Sequence, residues 1–98
     1  MKKILVCCNT GVTTSLLVSK LEAEAVRRGA EYDIQAYPLA QAIDHLAEAD
    51  VVLLAPQIGF AQSNLMEATK APVSVIDVEA YSHASAAAIL DAAAELMA

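Results

Sequence analysis

Residues 3–15 read KILVCCNTGVTTS, and the change of character inside that stretch decides the fold. Lys3 to Cys7 is a short, continuously apolar run, the signature of a strand buried on both faces, and it stops at a polar, glycine-containing loop, Asn9 to Thr13. Beyond the loop Leu17, Leu21 and Ala25 recur at helical spacing with Val18 beside them, while Lys20, Glu24, Arg27 and Arg28 stand opposite. Gly29 supplies a C-terminal stop, and Thr13, Thr14 or Ser15 is expected to cap the first turn.

The alternation continues along the chain. Tyr32 to Ala36 reads as a second strand. Pro38 opens a short helix with Leu39, Ile43 and Leu46 on one face, and Asp50 ends that connection. Val51 to Leu54 is the strongest strand, closed by Pro56 in the segment APQIG, and is expected to lie centrally. Phe60 to Thr69 predicts a third helix, and Pro72 introduces a strand from Val73 to Ile76 that Asp77 ends. A final alanine-rich helix is expected from Ser82 or Ser85 to about Met97. The resulting βαβαβαβα pattern implies an α/β fold: a single open four-stranded parallel sheet, order 2-1-3-4, with helices on both faces. Ligands of such sheets bind outside the carboxyl ends of the strands where the order reverses, here between strands one and three. Cys8 to Ser15, Ala55 to Gly59 and Asp77 to Ser82 are therefore expected to meet there.

With 98 residues the chain is expected to form one domain, 1–98, large enough to bury a core without disulfide or metal staples. Lys and Arg number 6 against 12 Asp and Glu, a formal charge of −6. No basic stripe exists to release counterions from a phosphate backbone, so nucleic acid is not expected as a partner. Much of the 57% hydrophobic fraction is alanine, and no window approaches the roughly 20 consecutive apolar residues of a bilayer helix. The opening MKKILVCC is broken by Asn9, Thr10 and Gly11 too early for the apolar segment of a signal peptide. Adjacent Cys7 and Cys8 make no disulfide framework, because a vicinal bridge closes a strained ring and staples nothing distant. The expected compartment is a reducing cytoplasm.

A cysteine placed where a buried strand meets a helix N-terminus gains from unsatisfied backbone N–H groups and the positive end of the helix dipole, which favour thiolate over thiol. The same groups cradle phosphate. CNTGVTTS, residues 8–15, thus combines a candidate nucleophile, Cys8, in an exposed loop with candidate anion-binding residues Asn9, Thr10, Gly11, Val12, Thr13, Thr14 and Ser15. Gln57, after Pro56 at the rim of the crevice, is a further candidate phosphate ligand, with a structural role in the turn as the competing reading. Protein tyrosine phosphatases of similar architecture follow the cysteine, after five residues, with an arginine that stabilises the transferring phosphoryl group. Position 14 is threonine, and neither Lys nor Arg occurs from Ile4 to Ser19. Such a cysteine is suited to accept a phosphoryl group from a high-energy donor and poorly equipped to hydrolyse it.

Three segments in order now carry a resemblance: CNTGVTTSLLVSKL (8–21), ADVVLLAPQI (49–58), and VSVID (73–77) followed by Tyr81. They resemble the phosphocysteine loop with its first helix, the third strand with its turn, and the fourth strand of the IIB subunits of the phosphoenolpyruvate-dependent sugar phosphotransferase system, lactose/cellobiose branch. The resemblance spans nearly the whole chain. It implies a fold similar to the low-molecular-weight tyrosine phosphatase architecture. It also implies a cytoplasmic phosphocarrier, peripheral to the membrane through its IIC partner. Cys8 would take the phosphoryl group from a phosphohistidine of the IIA subunit and pass it to a sugar held by the membrane subunit IIC. The alternative is a small cysteine-dependent phosphatase or arsenate reductase-like enzyme.

The remaining residues read more plainly. On strand alternation Cys7 and Cys8 project in different directions, which makes Cys7 a packed core thiol. His45 and His83 lack ligand partners at metal spacing and read as surface or helix-end histidines, so no metal and no cofactor is expected. Asp50 and Asp77 read as turn residues or caps. Ile58 and Phe60 are candidates for an apolar rim that docks partners, with helix packing as the alternative.

Overall fold

Ile4, Leu5, Val6 and Cys7 are all buried because their strand has a neighbour on each side and a helical layer over each face. The computed structural model describes residues 2–8 and 11–97, and for residues 11–15 the backbone alone. Its strands are β1 (Lys2–Cys8), β2 (Tyr32–Pro38), β3 (Val51–Leu54) and β4 (Val73–Val75). They form one parallel sheet in the expected order, β2-β1-β3-β4.

Side chains of successive strand residues face opposite ways, and this period of two divides the core. Ile4, Val6, Val51 and Leu53 pack towards α1 (Gly11–Arg27) and α5 (Ala86–Met97), meeting Leu17, Leu21, Ile89 and Leu90. Leu5, Cys7, Val52 and Leu54 face the opposite layer, which is built from α2 (Leu39–Ala42), two 3₁₀ stretches (Ile43–Glu48 and Pro56–Ala61) and α3 (Gln62–Ala68). The predicted apolar stripe of α1 is thus the buried one. At the far end of α1, Glu24 lies between Arg27 and Arg28, whose hydrogen bonds hold its carboxyl down at about 2. Arg28 also reaches α5, donating to the Ala87 carbonyl at 3.0 Å and pairing with Asp91 at 2.8 Å.

Asp50 fixes the register of the two central strands. Its carboxylate accepts from the Lys3 backbone N–H at 2.7 Å while its own N–H donates to the Lys3 carbonyl at 2.9 Å, which aligns Ile4 with Val51.

Several boundaries differ from the sequence reading, each for a local reason. Helix α1 already begins at Gly11, so the expected Asn9–Thr13 loop is shorter and Thr13, Thr14 and Ser15 lie inside the helix. Strand β2 runs on to Pro38, which an edge strand tolerates because its missing N–H costs no ladder bond. Ile43 is exposed: the buried stripe of its segment centres on Ala42 and Leu46, and Ile43 falls beside it. The third helix forms only from Gln62, because Ile58 leaves helical geometry within the preceding 3₁₀ stretch. Strand β4 ends at Val75, although the Ile76 N–H still donates to the Leu54 carbonyl at 2.8 Å. The final helix is two: α4 (Val78–Ser82) and α5, separated at Ala84, whose φ of 48° neither helix can continue through.

Candidate functional site

The carboxyl ends of β1, β3 and β4 lie side by side because the sheet is parallel. The Ala55 N–H donates to the Cys7 carbonyl at 2.9 Å, which carries the pairing of β1 with β3 one residue past Leu54. Ala55 therefore sits directly beside the cysteine pair, and the 56–61 stretch leaves from that point.

Cys8 is the last residue of β1 and is 1% exposed. Its Sγ lies 3.7 Å from the Tyr37 carbonyl at the end of β2, a weak hydrogen bond from thiol to oxygen. This corrects the expectation of an exposed loop cysteine. The parallel strand extends one residue further than its sequence suggested, and the neighbouring strand end covers the sulfur. The two cysteines, expected to project in different directions, nonetheless join the same buried cluster with Ala55 and Ile58. Cys7 is fully buried as expected, and burial first, then the adjacent Cys8, pushes its thiol up to about 12. It remains protonated near neutrality.

Among the expected phosphate ligands, Asn9 and Thr10 lie outside the described residues, as do the side chains of Gly11, Val12, Thr13, Thr14 and Ser15. The backbone of residues 11–15 forms the first turn of α1. The first N–H groups of a helix have no partner within it, and a start at Gly11 brings that set of donors three residues from Cys8.

Gln57 is exposed and lines a cleft of about 460 Å³ together with Pro56, Val78, Tyr81 and Ser82. The structure thus unites the two segments expected after β3 and β4. Asp77 acts as the cap of α4, accepting from the Glu79 and Ala80 N–H groups at 3.1 and 3.2 Å. Tyr81 packs against both core clusters and so presents one wall of the cleft from a fixed base. The sequence reading brought Val78, Tyr81 and Ser82 to this end within the Asp77 to Ser82 segment but gave them no individual role. The available signal for the short helix that presents them was the capping pattern of Asp77 followed by an acidic first turn at Glu79. The pair Ile58 and Phe60 divides: Ile58 is core, whereas Phe60 is 78% exposed. His45 stacks on the Tyr37 ring with centroids 4.0 Å apart, and His83 ends α4. Among the described residues no group of three His, Cys, Asp or Glu is placed to hold a metal ion.

Fold and site together define a doubly wound α/β protein with a cysteine at its topological switch point. A family model described as PTS system, Lactose/Cellobiose specific IIB subunit, matches residues 3–92. The chain is 38% identical over 100 residues to an oligo-β-mannoside-specific EIIB component of Bacillus subtilis, covering 99% of this chain and 97% of that one. It is 35% identical to a galactose-specific EIIB component of Lactococcus lactis, covering 98% and 96% of the two chains. In three dimensions it resembles the cellobiose-specific IIB protein of Borrelia burgdorferi, with a TM-score of 0.81 and 30% identity over 98% of this chain and 91% of that one. The lactose-specific IIB domain of Streptococcus pneumoniae shares the fold, with a TM-score of 0.76 at 17% identity over 85% and 83% of the two chains. The chain belongs to the lactose/cellobiose-specific IIB family and is a IIB component of a sugar phosphotransferase system. Components of this kind act in phosphotransfer and work with IIA and IIC subunits. No helix among the described residues is long and apolar enough to cross a membrane.

Proposed function

We propose that residues 1–98 act as one phosphocarrier domain in which Cys8 is the nucleophile. The phosphohistidine of a IIA subunit is the donor: its N–P bond breaks, an S–P bond forms at Cys8, and the thiol proton passes to the released imidazole. In the second step a hydroxyl of a sugar held by the membrane subunit IIC attacks phosphorus. The S–P bond breaks, the sulfur leaves with the electron pair, and the hydroxyl proton passes to that sulfur or to water. The observation that carries this reading is the place of Cys8 at the carboxyl end of a central strand, three residues before a 17-residue helix.

The proposed phosphate ligands are Asn9, Thr10, Gly11, Val12, Thr13, Thr14, Ser15 and Gln57. With no cationic side chain between Ile4 and Ser19, the phosphoryl charge is met by first-turn amides, hydroxyls and the helix dipole. Acceptance requires the sulfur to turn away from the Tyr37 carbonyl. IIA docks at this end through apolar residues, with exposed Phe60 as its contact. The protein works in the cytoplasm and reaches the membrane through IIC. The relatives act in systems for oligo-β-mannosides, galactose and cellobiose, and these sugars are the acceptors to try first.

Intact mass after incubation with phosphoenolpyruvate and the upstream phosphotransferase proteins tests the reading. A gain of one phosphoryl group, absent in Cys8→Ser, supports it. Turnover of p-nitrophenyl phosphate without such a gain supports the phosphatase reading instead.

A further inference from the structure

We infer that the cleft between the Pro56–Ala61 stretch and α4 is a subsite for the sugar that accepts the phosphoryl group, with Tyr81 as its platform. The inference rests on the phosphocarrier reading and adds a sugar contact on this chain. Among the described residues no charged side chain lines the cleft: Pro56 and Val78 are apolar, Gln57 and Ser82 are neutral hydrogen-bonding groups, and Tyr81 supplies an aromatic wall. A basic peptide would find no counter-charge there. A neutral ring with hydroxyls on its edge and C–H groups on its face matches that lining, and the volume of about 460 Å³ falls in the range of small-molecule sites.

Position supports the same occupant. Tyr81 packs against the cluster that holds Cys8 and Ala55, and Gln57 belongs both to the proposed phosphate ligands and to the cleft. An attacking hydroxyl must come within about 3–3.5 Å of phosphorus in line with the S–P bond, which brings the rest of its ring to the neighbouring surface of this chain. Covering that ring also keeps water from the phosphocysteine. Tyr81 is thus a specificity residue for the second transfer and takes no part in the first.

Measuring the two half-reactions separately tests this. Wild type, Tyr81→Ala, Tyr81→Phe and Ser82→Trp are phosphorylated by the IIA system. Each phosphoprotein is then presented to membrane vesicles carrying the IIC subunit, with galactose, cellobiose or mannobiose as the sugar. The donor step is expected to stay within about twofold in every variant. Tyr81→Ala is expected to raise the sugar KM by about tenfold, the scale of one lost aromatic contact. Tyr81→Phe keeps the ring and behaves as wild type. Ser82→Trp fills the cleft from an exposed position, so it raises KM even if Tyr81→Ala fails to fold. An unchanged KM in Tyr81→Ala and Ser82→Trp overturns the subsite alone. A parallel fall of both half-reactions also overturns it, and marks the cleft as a docking surface for protein. Wild type that takes no phosphoryl group removes the carrier reading and the subsite with it.

Discussion

Cys7 and Cys8 are adjacent and almost equally covered, yet only Cys8 ends its strand with its sulfur at the boundary between β1 and β2. Cys8→Ser is expected to abolish phosphoryl transfer and leave the circular dichroism spectrum unchanged; sugar phosphorylation retained in that variant would refute the assignment. Cys7→Ala is expected to keep most of the transfer and to cost about 1 kcal/mol in urea unfolding, through lost packing. Cys7 also sets an alkaline limit. Above about pH 9 the unfolded chain releases this proton, while the folded one holds it until about 12, so the folded state binds more protons. Stability from this group is complete below pH 9 and falls as pH rises across that window. Urea midpoints at about pH 8 and pH 10.5 are expected to differ less in Cys7→Ala than in wild type. The packed thiol at position 7 was legible from its apolar run. The covered state of Cys8 was not, because it depends on the Tyr37 carbonyl, 29 residues away.

Among the elements, the first turn of α1 gives the sharpest test of how phosphate is held. With Gly11 at its start, residue 12 lies where helix amides are free, whereas the N–H of residue 14 falls at the edge of the intrahelical ladder. Val12→Pro is therefore expected to keep the fold and lose transfer, since it removes one free donor. Thr14→Pro is expected to lower the melting temperature as well. A Val12→Pro protein with full phosphocysteine lifetime would rule out the backbone cradle. Asp77→Ala removes the two cap bonds of α4 and is expected to cost about 1 kcal/mol. It also loosens Tyr81, so the sugar step should fall more than the donor step. Elements long enough to show periodicity were legible: the stripe of α1, the apolar run of β3, and from their alternation the strand order. The 5-residue α4 and the 3₁₀ stretches were not, because they are shorter than the pattern that would identify them and are held by caps and tertiary contact.

Across the whole molecule the cations are unevenly placed. Lys2, Lys3, Arg27, Arg28 and Lys70 belong to the amino end of the sheet, at the start of β1, the end of α1 and the approach to β4, and Lys20 lies midway along α1. The end that holds Cys8 carries no cation of its own. Association with IIA is therefore expected to change less than about fivefold between about 0.05 and 0.5 M salt, since apolar burial is not screened. Phe60→Ala should weaken it by about tenfold or more. A steep salt dependence with Phe60→Ala neutral would exclude an apolar interface. The central position of β1 also matters while the chain is being made. Both strands that flank it come later in the sequence, and at about 5–20 residues per second roughly 2–9 s separate the synthesis of Cys8 from that of Leu54. Through that interval the nascent chain holds an apolar strand and two thiols without their neighbours. A short pulse of a cell-permeant alkylating agent should therefore label Cys7 in chains still on the ribosome and spare it in the finished pool.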